Sequence, residues 1–173
     1  GWQLLIVAVM LIWYEYYEAK NAYIFSETTV AEIQDTIDNE ISNLEEVEYK
    51  GKVYIGLIEI PALNLKLPIL RNCTEENLKL APCRFFGDIY LEEPVVFAAH
   101  NYPKFFGNLK YLKKDDDIYF RMLDGKRIQY KVKETEALEG TDVEGMTDTE
   151  YDLTLFTCNY AKDKRITVRC NKY

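Results

Sequence analysis

The sequence is poor in the residues and motifs that build cofactor sites. It contains a single histidine, and its four cysteines include no C-x-x-C pair, so a tetrahedral zinc site is not expected. No run of the G-x-x-x-x-G-K-[ST] or G-x-G-x-x-G type occurs, which leaves a nucleotide-phosphate loop unsupported. The net charge of -8 disfavours nucleic acid as a partner, because phosphate binding needs clustered Lys and Arg. We therefore expect no metal, no cofactor and no nucleic-acid partner.

What the chain has in abundance is apolar and aromatic sequence, with 48% hydrophobic residues and fourteen tyrosines. From residue 52 onward the apolar residues recur with a period of two, which is typical of β-strands. Strands are predicted over residues 53–60, 63–69, 95–99, 118–122, 127–138, 153–157 and 165–170. Many short strands with few helices indicate a mixed or antiparallel β-barrel.

The amino terminus has a different character. Residues 2–14 form an almost uninterrupted apolar run, and the aromatic cluster within residues 13–17 is typical of a membrane interface. The run is shorter than the ~20 residues that span a bilayer. Because the chain begins at Gly1 rather than Met, we interpret residues 1–20 as a truncated signal anchor.

A second helical segment is predicted after this anchor. Apolar residues recur every three or four positions over residues 28–48, which is the stripe of an amphipathic helix. Thr28 or Thr29 is expected to cap its start, and Gly51 is expected to mark its end. Residues 21–51 are thus predicted to be an N-terminal helix and linker.

Three reactive side chains lie at the ends of predicted strands. Cys158 ends the run Leu-Thr-Leu-Phe-Thr-Cys, His100 follows strand 95–99, and Arg165 opens the last strand. A thiol nucleophile, an imidazole that transfers protons and a guanidinium that stabilises an oxyanion together make a plausible cysteine-nucleophile site. If the last two strands form an antiparallel hairpin, Cys158 and Arg165 flank its loop and lie close together.

The neighbouring residues of the last strand receive structural roles. Arg169 lies four residues beyond Arg165, about 13 Å along a strand at ~3.3 Å per residue. We therefore favour Arg165 for the site. Arg165, Thr167 and Arg169 share one face of the strand, so support of the site by Arg169 stays open, although we favour a surface role for it. Cys170 continues an apolar face and is predicted to belong to the core.

The order of these motifs resembles the sortase family. The resemblance is carried by T-L-F-T-C at residues 154–158, by His100 in A-H-N-Y, by Arg165 in K-R-I-T-V and by I-E-I-P-A-L-N-L-K-L-P-I at residues 58–69. It implies a mostly β fold: a closed eight-stranded β-barrel with short helices at residues 52–173, preceded by an N-terminal helix and a membrane anchor. It also implies a catalytic domain outside the cell membrane of a Gram-positive bacterium, held by a single N-terminal anchor.

The resemblance also implies the chemistry of a cysteine transpeptidase that anchors surface proteins to the cell wall. Cys158 takes the nucleophile position and would form a thioacyl enzyme with proteins that bear a C-terminal LPxTG-like sorting signal. His100 takes the general acid/base position, and Arg165 takes the position that holds the substrate carbonyl or its oxyanion. An amine from a peptidoglycan precursor or from another protein would then resolve the acyl enzyme.

Several alternatives are left open by the sequence. Ala99-His100 replaces the Gly-His that is more frequent in the family, and no Asp-Pro-aromatic lid motif or second hydrophobic anchor is seen, which weighs against a pilin-polymerising type. A thiol hydrolase that uses water as acceptor and a non-catalytic surface barrel are the alternative functions. A Cys73–Cys83 disulfide is possible if the chain is exported, and the spacing alone does not decide it.

Overall fold

The computed structural model describes residues 1–39, 44–147, 150–159 and 164–173, with the backbone alone at residues 158 and 159. The described part of the chain contains three α-helices, three short 3-10 helices and a single β-sheet. The α-helices are α1 (Trp2–Asp38), α2 (Glu75–Leu78) and α3 (Val143–Met146). The strands are β1 (Val47–Tyr49), β2 (Lys52–Ile60), β3 (Leu65–Leu70), β4 (Cys83–Phe86), β5 (Val95–Ala99), β6 (Asp117–Met122), β7 (Arg127–Glu139), β8 (Leu153–Asn159) and β9 (Lys164–Lys172).

The sheet closes on itself to form a barrel. Its strand order is β1-β2-β3-β4-β5-β8-β9-β7-β6, and β6 also pairs with β2. This second pairing of β2 closes strands β2 to β9 into a ring. Strand β1 lies outside the ring and forms a hairpin with β2. The β3–β4 and β5–β8 pairs are parallel and the others are antiparallel. The predicted closed eight-stranded barrel is therefore confirmed.

Alternation along the strands fills the barrel interior with apolar side chains. Ile128, Tyr130 and Val132 point inward from β7 as predicted, and Tyr130 and Val132 are buried. The rings of Phe97 and Phe120 stack at 5.5 Å across the core. Burial of large side chains on this scale is the main source of the barrel's stability.

The long helix α1 packs on the barrel only through its second half. Its buried residues recur at helical spacing, three or four positions apart: Ala22, Ser26, Thr29, Ile33 and Ile37. Its first half exposes large apolar side chains from Trp2 to Tyr17. Across the described ranges, no helix combines the length and the apolar character needed to cross a membrane.

The predicted helix over residues 28–48 is wrong at both ends. Helix α1 is continuous through Thr28 and Thr29, whose hydroxyls donate to the carbonyl of Phe25 instead of capping a helix start. It ends at Asp38, and β1 occupies part of the predicted range. Tertiary pairing of β1 with β2 overrides the helical spacing of the apolar residues.

Gly51 was predicted to end a helix but forms the turn between β1 and β2. Lys50 and Gly51 both have positive φ, at 50° and 71°. Two consecutive residues with positive φ are typical of the tight turn that joins two antiparallel strands, and glycine adopts this conformation without steric cost. The remaining predicted strands are confirmed, with shifts of a few residues at their ends. The four-residue strand β4 was not predicted.

Candidate active site

The backbone places His100 and Cys158 at the same end of two neighbouring parallel strands. In the β5–β8 ladder, Ala99 is the partner of Thr157, so His100 and Cys158 are the next residues on adjacent strands. Neighbouring strands lie ~4.8 Å apart, which keeps these two positions close together. The Thr157 hydroxyl donates to the Ala99 carbonyl at 3.0 Å and fixes the register at this point.

The third predicted residue pairs with Cys158 from the other side. In the antiparallel β8–β9 ladder, Cys158 and Arg165 are partners. The predicted proximity of these two residues along the backbone is therefore confirmed, whereas the side chain of Cys158 lies outside what the structure describes. Three adjacent strands thus bring His100, Cys158 and Arg165 to one end of the barrel.

A cavity of about 210 Å³ opens beside this strand end. Both His100 and Arg165 line it, and Leu78, Phe85 and Phe156 supply much of its apolar surface. An apolar pocket with a few convergent polar groups is typical of a ligand site. Its mixed lining suits a peptide that carries both apolar side chains and a polar main chain.

His100 is half-buried at the mouth of this site, and the edge of its ring meets the ring of Tyr102 at 5.4 Å. Burial holds the pKa of His100 below its ordinary value of 6.5, because a low-dielectric environment disfavours the imidazolium. The positive charge of Lys79 lowers this pKa further, and the carboxylate of Glu18 opposes the shift. His100 is accordingly neutral at pH 7 and able to accept a proton.

Arg165 is oriented by contacts with two segments. Its Nε donates to the carbonyl of Gly140 at 3.1 Å, just beyond the end of β7. Its guanidinium lies over the ring of Phe156 at 5.3 Å. A guanidinium presents a planar fork of N–H donors, which suits a carbonyl or an oxyanion.

The predicted surface position of Arg169 is wrong. This residue is only 2% exposed, and its guanidinium contacts the carbonyl of Gly145 in α3 and the ring of Tyr151. Its Nε forms an ion pair with Glu136 at 2.8 Å, and its other two nitrogens donate to Thr154 and to the carbonyl of Gly145. A buried guanidinium needs such partners, since an unpaired buried charge is strongly destabilising.

A disulfide joins Cys73 to Cys83 at the edge of the same cavity, which settles the pairing that the sequence left open. Cys73 lines the cavity together with α2, and Cys83 is fully buried at the start of β4. The bridge closes the crossover that carries α2 between β3 and β4. Cys158 and Cys170 are the two cysteines outside this bridge, and Cys170 is buried in the barrel core as predicted.

The described residues offer no place for a metal ion, since no group of three or more His, Cys, Asp or Glu side chains is close enough to hold one. A family model of the Sortase domain matches residues 58–173. The chain belongs to the sortase family.

Solved sortases share the fold of this chain. Sortase A from Corynebacterium diphtheriae is 25% identical, with a TM-score of 0.60 over 70% of this chain and 61% of that one. Sortase A from Listeria monocytogenes is 25% identical, with a TM-score of 0.61 over 69% and 87%. Clostridium perfringens sortase C, solved with the C-terminal cell wall sorting motif, is 23% identical, with a TM-score of 0.62 over 88% of each chain.

The present sortase thus spans 61% of the length of the Corynebacterium diphtheriae enzyme that it matches. No curated protein sequence matches it significantly. The matched structures comprise both A and C classes of sortase.

Sequence reasoning missed two features of the site. The first is Phe85, which packs edge-on against Phe156 at 5.1 Å and forms a wall of the cavity. The second is the contact between Arg169 and α3. Both contacts join residues that are far apart in the chain, and no local pattern signals them.

Proposed function

We propose that this sortase is a membrane-anchored cysteine transpeptidase that cleaves an LPxTG-like sorting signal and transfers the protein to an amine. The observation that carries the proposal is the convergence of His100, Cys158 and Arg165 on three adjacent strand ends. A nucleophile, a proton-transfer group and an oxyanion donor within reach of one another are what acyl transfer requires.

The proposed reaction has two acyl-transfer steps. The sulfur of Cys158 attacks the carbonyl of the Thr–Gly bond, the C–N bond breaks, and a thioester forms. The leaving amine takes its proton from His100. An incoming amine then attacks the thioester and loses its proton to His100, and the thiol is released. Arg165 donates hydrogen bonds to the oxyanion that develops in each step.

The neutral state of His100 at rest is compatible with this scheme. A neutral imidazole accepts the thiol proton as the sulfur attacks, which supplies the imidazolium that the leaving amine then deprotonates. The apolar walls of the cavity strengthen the hydrogen bonds of Arg165 because they exclude water. Phe85 and Leu78 line the cavity, and we propose that they contact the apolar side chain of the sorting signal.

Membrane attachment is proposed through the first half of α1. Trp2, Trp13 and Tyr17 are among its exposed aromatic side chains, and the barrel covers none of them. An exposed apolar helix surface of this extent favours contact with the acyl boundary of a bilayer. The second half of α1, packed on the barrel, would then hold the catalytic domain next to the membrane.

The partners proposed for the reaction are surface proteins with a C-terminal sorting signal and an amine acceptor. The motif-bound Clostridium perfringens sortase C, whose fold this chain shares, supports the first class. The acceptor is an amine of a peptidoglycan precursor or of another protein.

The experiment uses the full chain in mild detergent with a quenched fluorescent library of LPxTG-like peptides, with and without glycine or diaminopimelate-like amines. Cys158→Ala and His100→Ala are expected to abolish cleavage and amine adduct. Cys170→Ala is the matched control, because Cys170 lies in the barrel core, and it should retain turnover.

Three results are distinguishable. Amine adduct that requires Cys158 establishes a transpeptidase. Cleavage that requires Cys158 but yields only the hydrolysed peptide at every amine concentration would make the protein a thiol hydrolase. Intact peptide, with a Cys158 that is inert to thiol reagents, would contradict catalysis and favour a non-catalytic barrel.

A further inference from the structure

Arg169 is the most completely buried charged side chain near the site, and its contacts join three segments of the chain. It pairs with Glu136 on β7, donates to Thr154 on β8 at 3.1 Å, and donates to the carbonyl of Gly145 in α3. Its guanidinium also lies over the ring of Tyr151 at 5.4 Å. No other contact described for the connection between β7 and β8 uses a buried charge.

The turn that receives Arg169 is itself tightly built. Asp142 caps α3 by accepting a hydrogen bond from the backbone N–H of Gly145 at 2.8 Å. A Cβ at Gly145 would approach the Asp142 carboxylate to 2.5 Å, so a side chain there would have to displace this capping carboxylate. Met146, the next residue, is 1% exposed and packs against Phe156. The Gly145 carbonyl that accepts a hydrogen bond from Arg169 therefore belongs to a defined turn.

Arg165 and Arg169 hold the same connection at two points. They are four residues apart on β9 and share one face of the strand, as strand alternation requires. Arg165 contacts the carbonyl of Gly140 at the start of the connection, and Arg169 contacts Gly145 further along. The turn whose Gly140 carbonyl accepts from Arg165 is therefore also held from α3 by Arg169.

We propose that Arg169 is a positioning residue that holds the Gly140–Met146 turn against the barrel and thereby orients Arg165 for catalysis. The proposal rests on the function proposed above, in which Arg165 stabilises the oxyanion. No residue of the turn lines the cavity next to His100. The effect of Arg169 therefore falls on the transition state, which Arg165 contacts, rather than on ground-state binding.

The test compares Arg169→Met and Arg169→Lys with the parent in the full chain. Arg169→Met is expected to lower kcat about 10- to 100-fold, less than the ~10²–10³-fold loss typical of removing an oxyanion donor outright. KM should change less than about threefold. Arg169→Lys should recover part of kcat, because the ammonium still pairs with Glu136 but cannot also reach Thr154 and Gly145.

A double-mutant cycle separates positioning from a merely structural role. In an Arg165→Met background, Arg169→Met should cause no further loss of kcat, because the residue through which it acts is already gone. If the two losses of kcat multiply, so that the double variant is slower than Arg165→Met alone, the proposal is overturned. Glu136→Gln, which keeps the shape of the carboxylate, is the milder second variant if Arg169→Met fails to fold, and it should lower kcat in the same direction.

Arg127→Met is the matched control. Arg127 also pairs with a carboxylate, Glu59, at 3.2 Å, and lies over a tyrosine ring, Tyr119, at 3.6 Å. It stands at the opposite end of β7 from Glu136 and should leave kcat and KM unchanged.

Hydrogen exchange gives a readout that does not depend on peptide turnover. The amides of residues 145–147 should exchange at least tenfold faster in Arg169→Met, with the barrel strands unchanged. Unchanged exchange in this turn would overturn the proposal. If the parent cleaves no peptide, the proposed function fails independently of the positioning role. The same double-mutant cycle is then repeated with the rate of Cys158 alkylation as the measured quantity. Non-additive slowing supports the positioning role, and additive slowing or no slowing overturns it.

Discussion

The Cys73–Cys83 disulfide reinforces the weakest lateral contact in the barrel. Strands β3 and β4 share a single paired position, Leu70 with Cys83, and one further hydrogen bond at 2.9 Å from the Leu70 N–H to the Pro82 carbonyl. The neighbouring β4–β5 pair, by comparison, has three paired positions. The disulfide lies directly beside the weakly paired strands β3 and β4. We therefore expect its reduction to loosen α2 and the cavity wall before the rest of the barrel.

The size of the effect follows from the length of the loop that the bridge closes. The two cysteines are separated by 10 residues. For such a loop, the chain-entropy model gives a stabilisation of about 2.7 kcal/mol at 25 °C. In a domain of this size, that free energy corresponds to a fall in Tm of about 5–10 °C. A loss of this size is well above the error of a denaturation experiment.

The assay is urea unfolding with and without dithiothreitol, in a Cys158→Ala background that removes the thiol proposed as the nucleophile. Circular dichroism is the suitable probe, because both tryptophans, Trp2 and Trp13, lie in the exposed half of α1 and do not report on the barrel. The reductant should lower the midpoint of the parent. It should have no effect on a Cys73→Ala/Cys83→Ala variant, whose midpoint should already be low. An unchanged midpoint after full reduction, verified by thiol titration, would refute the reasoning.

Three further predictions follow from the site and from α1. His100, as the only histidine, gives a single imidazole titration by NMR, and its pKa should lie below 6.5 and rise in Lys79→Met. Because the unfolded chain binds this proton more readily, the contribution of His100 to stability should be lost as the pH falls below 6.5; a pKa at or above 6.5 would contradict the burial argument. Thr157→Val removes the hydroxyl that donates to the Ala99 carbonyl at the end of β5, and it should lower the free energy of unfolding by about 1 kcal/mol. An unchanged free energy of unfolding would show that this hydrogen bond does not stabilise the barrel. Vesicles of zwitterionic lipid, which do not repel a chain of net charge -8, should shift the emission of Trp2 and Trp13 to the blue and sediment with the protein, and an unshifted spectrum would exclude α1 as the membrane contact.

The parts of the fold that could be predicted from the sequence are those that depend on local patterns of residues. Alternation along β7 placed Tyr130 and Val132 in the core, and the strand ends at His100 and Arg165 followed from the same pattern. A period of two is a property of a few consecutive residues, so one sequence suffices to read it. The proximity of Cys158 to Arg165 followed from a hairpin, the shortest-range pairing in a sheet.

The parts that escaped prediction depend on distant contacts. Val47 fits the helical stripe and yet forms a strand, because β2 offers it a pairing partner. Its charge predicts that Arg169 lies at the surface, whereas in the structure it is buried and contacts α3. Phe85 belongs to a strand too short to show alternation, and its place in the cavity depends on Phe156. Local propensity is a weak guide wherever such contacts decide the outcome.

Intact-mass spectrometry of the full chain with an LPxTG-like peptide tests the central claim most directly. A thioacyl enzyme should appear as an adduct equal in mass to the peptide acid through its threonine less one water, and digestion should locate it on Cys158. It should be absent in Cys158→Ala, be discharged by an added amine, and accumulate in the parent when no amine is present. Peptide cleavage without this adduct, or an adduct on any other residue, would contradict the assignment of Cys158 as the nucleophile of this sortase.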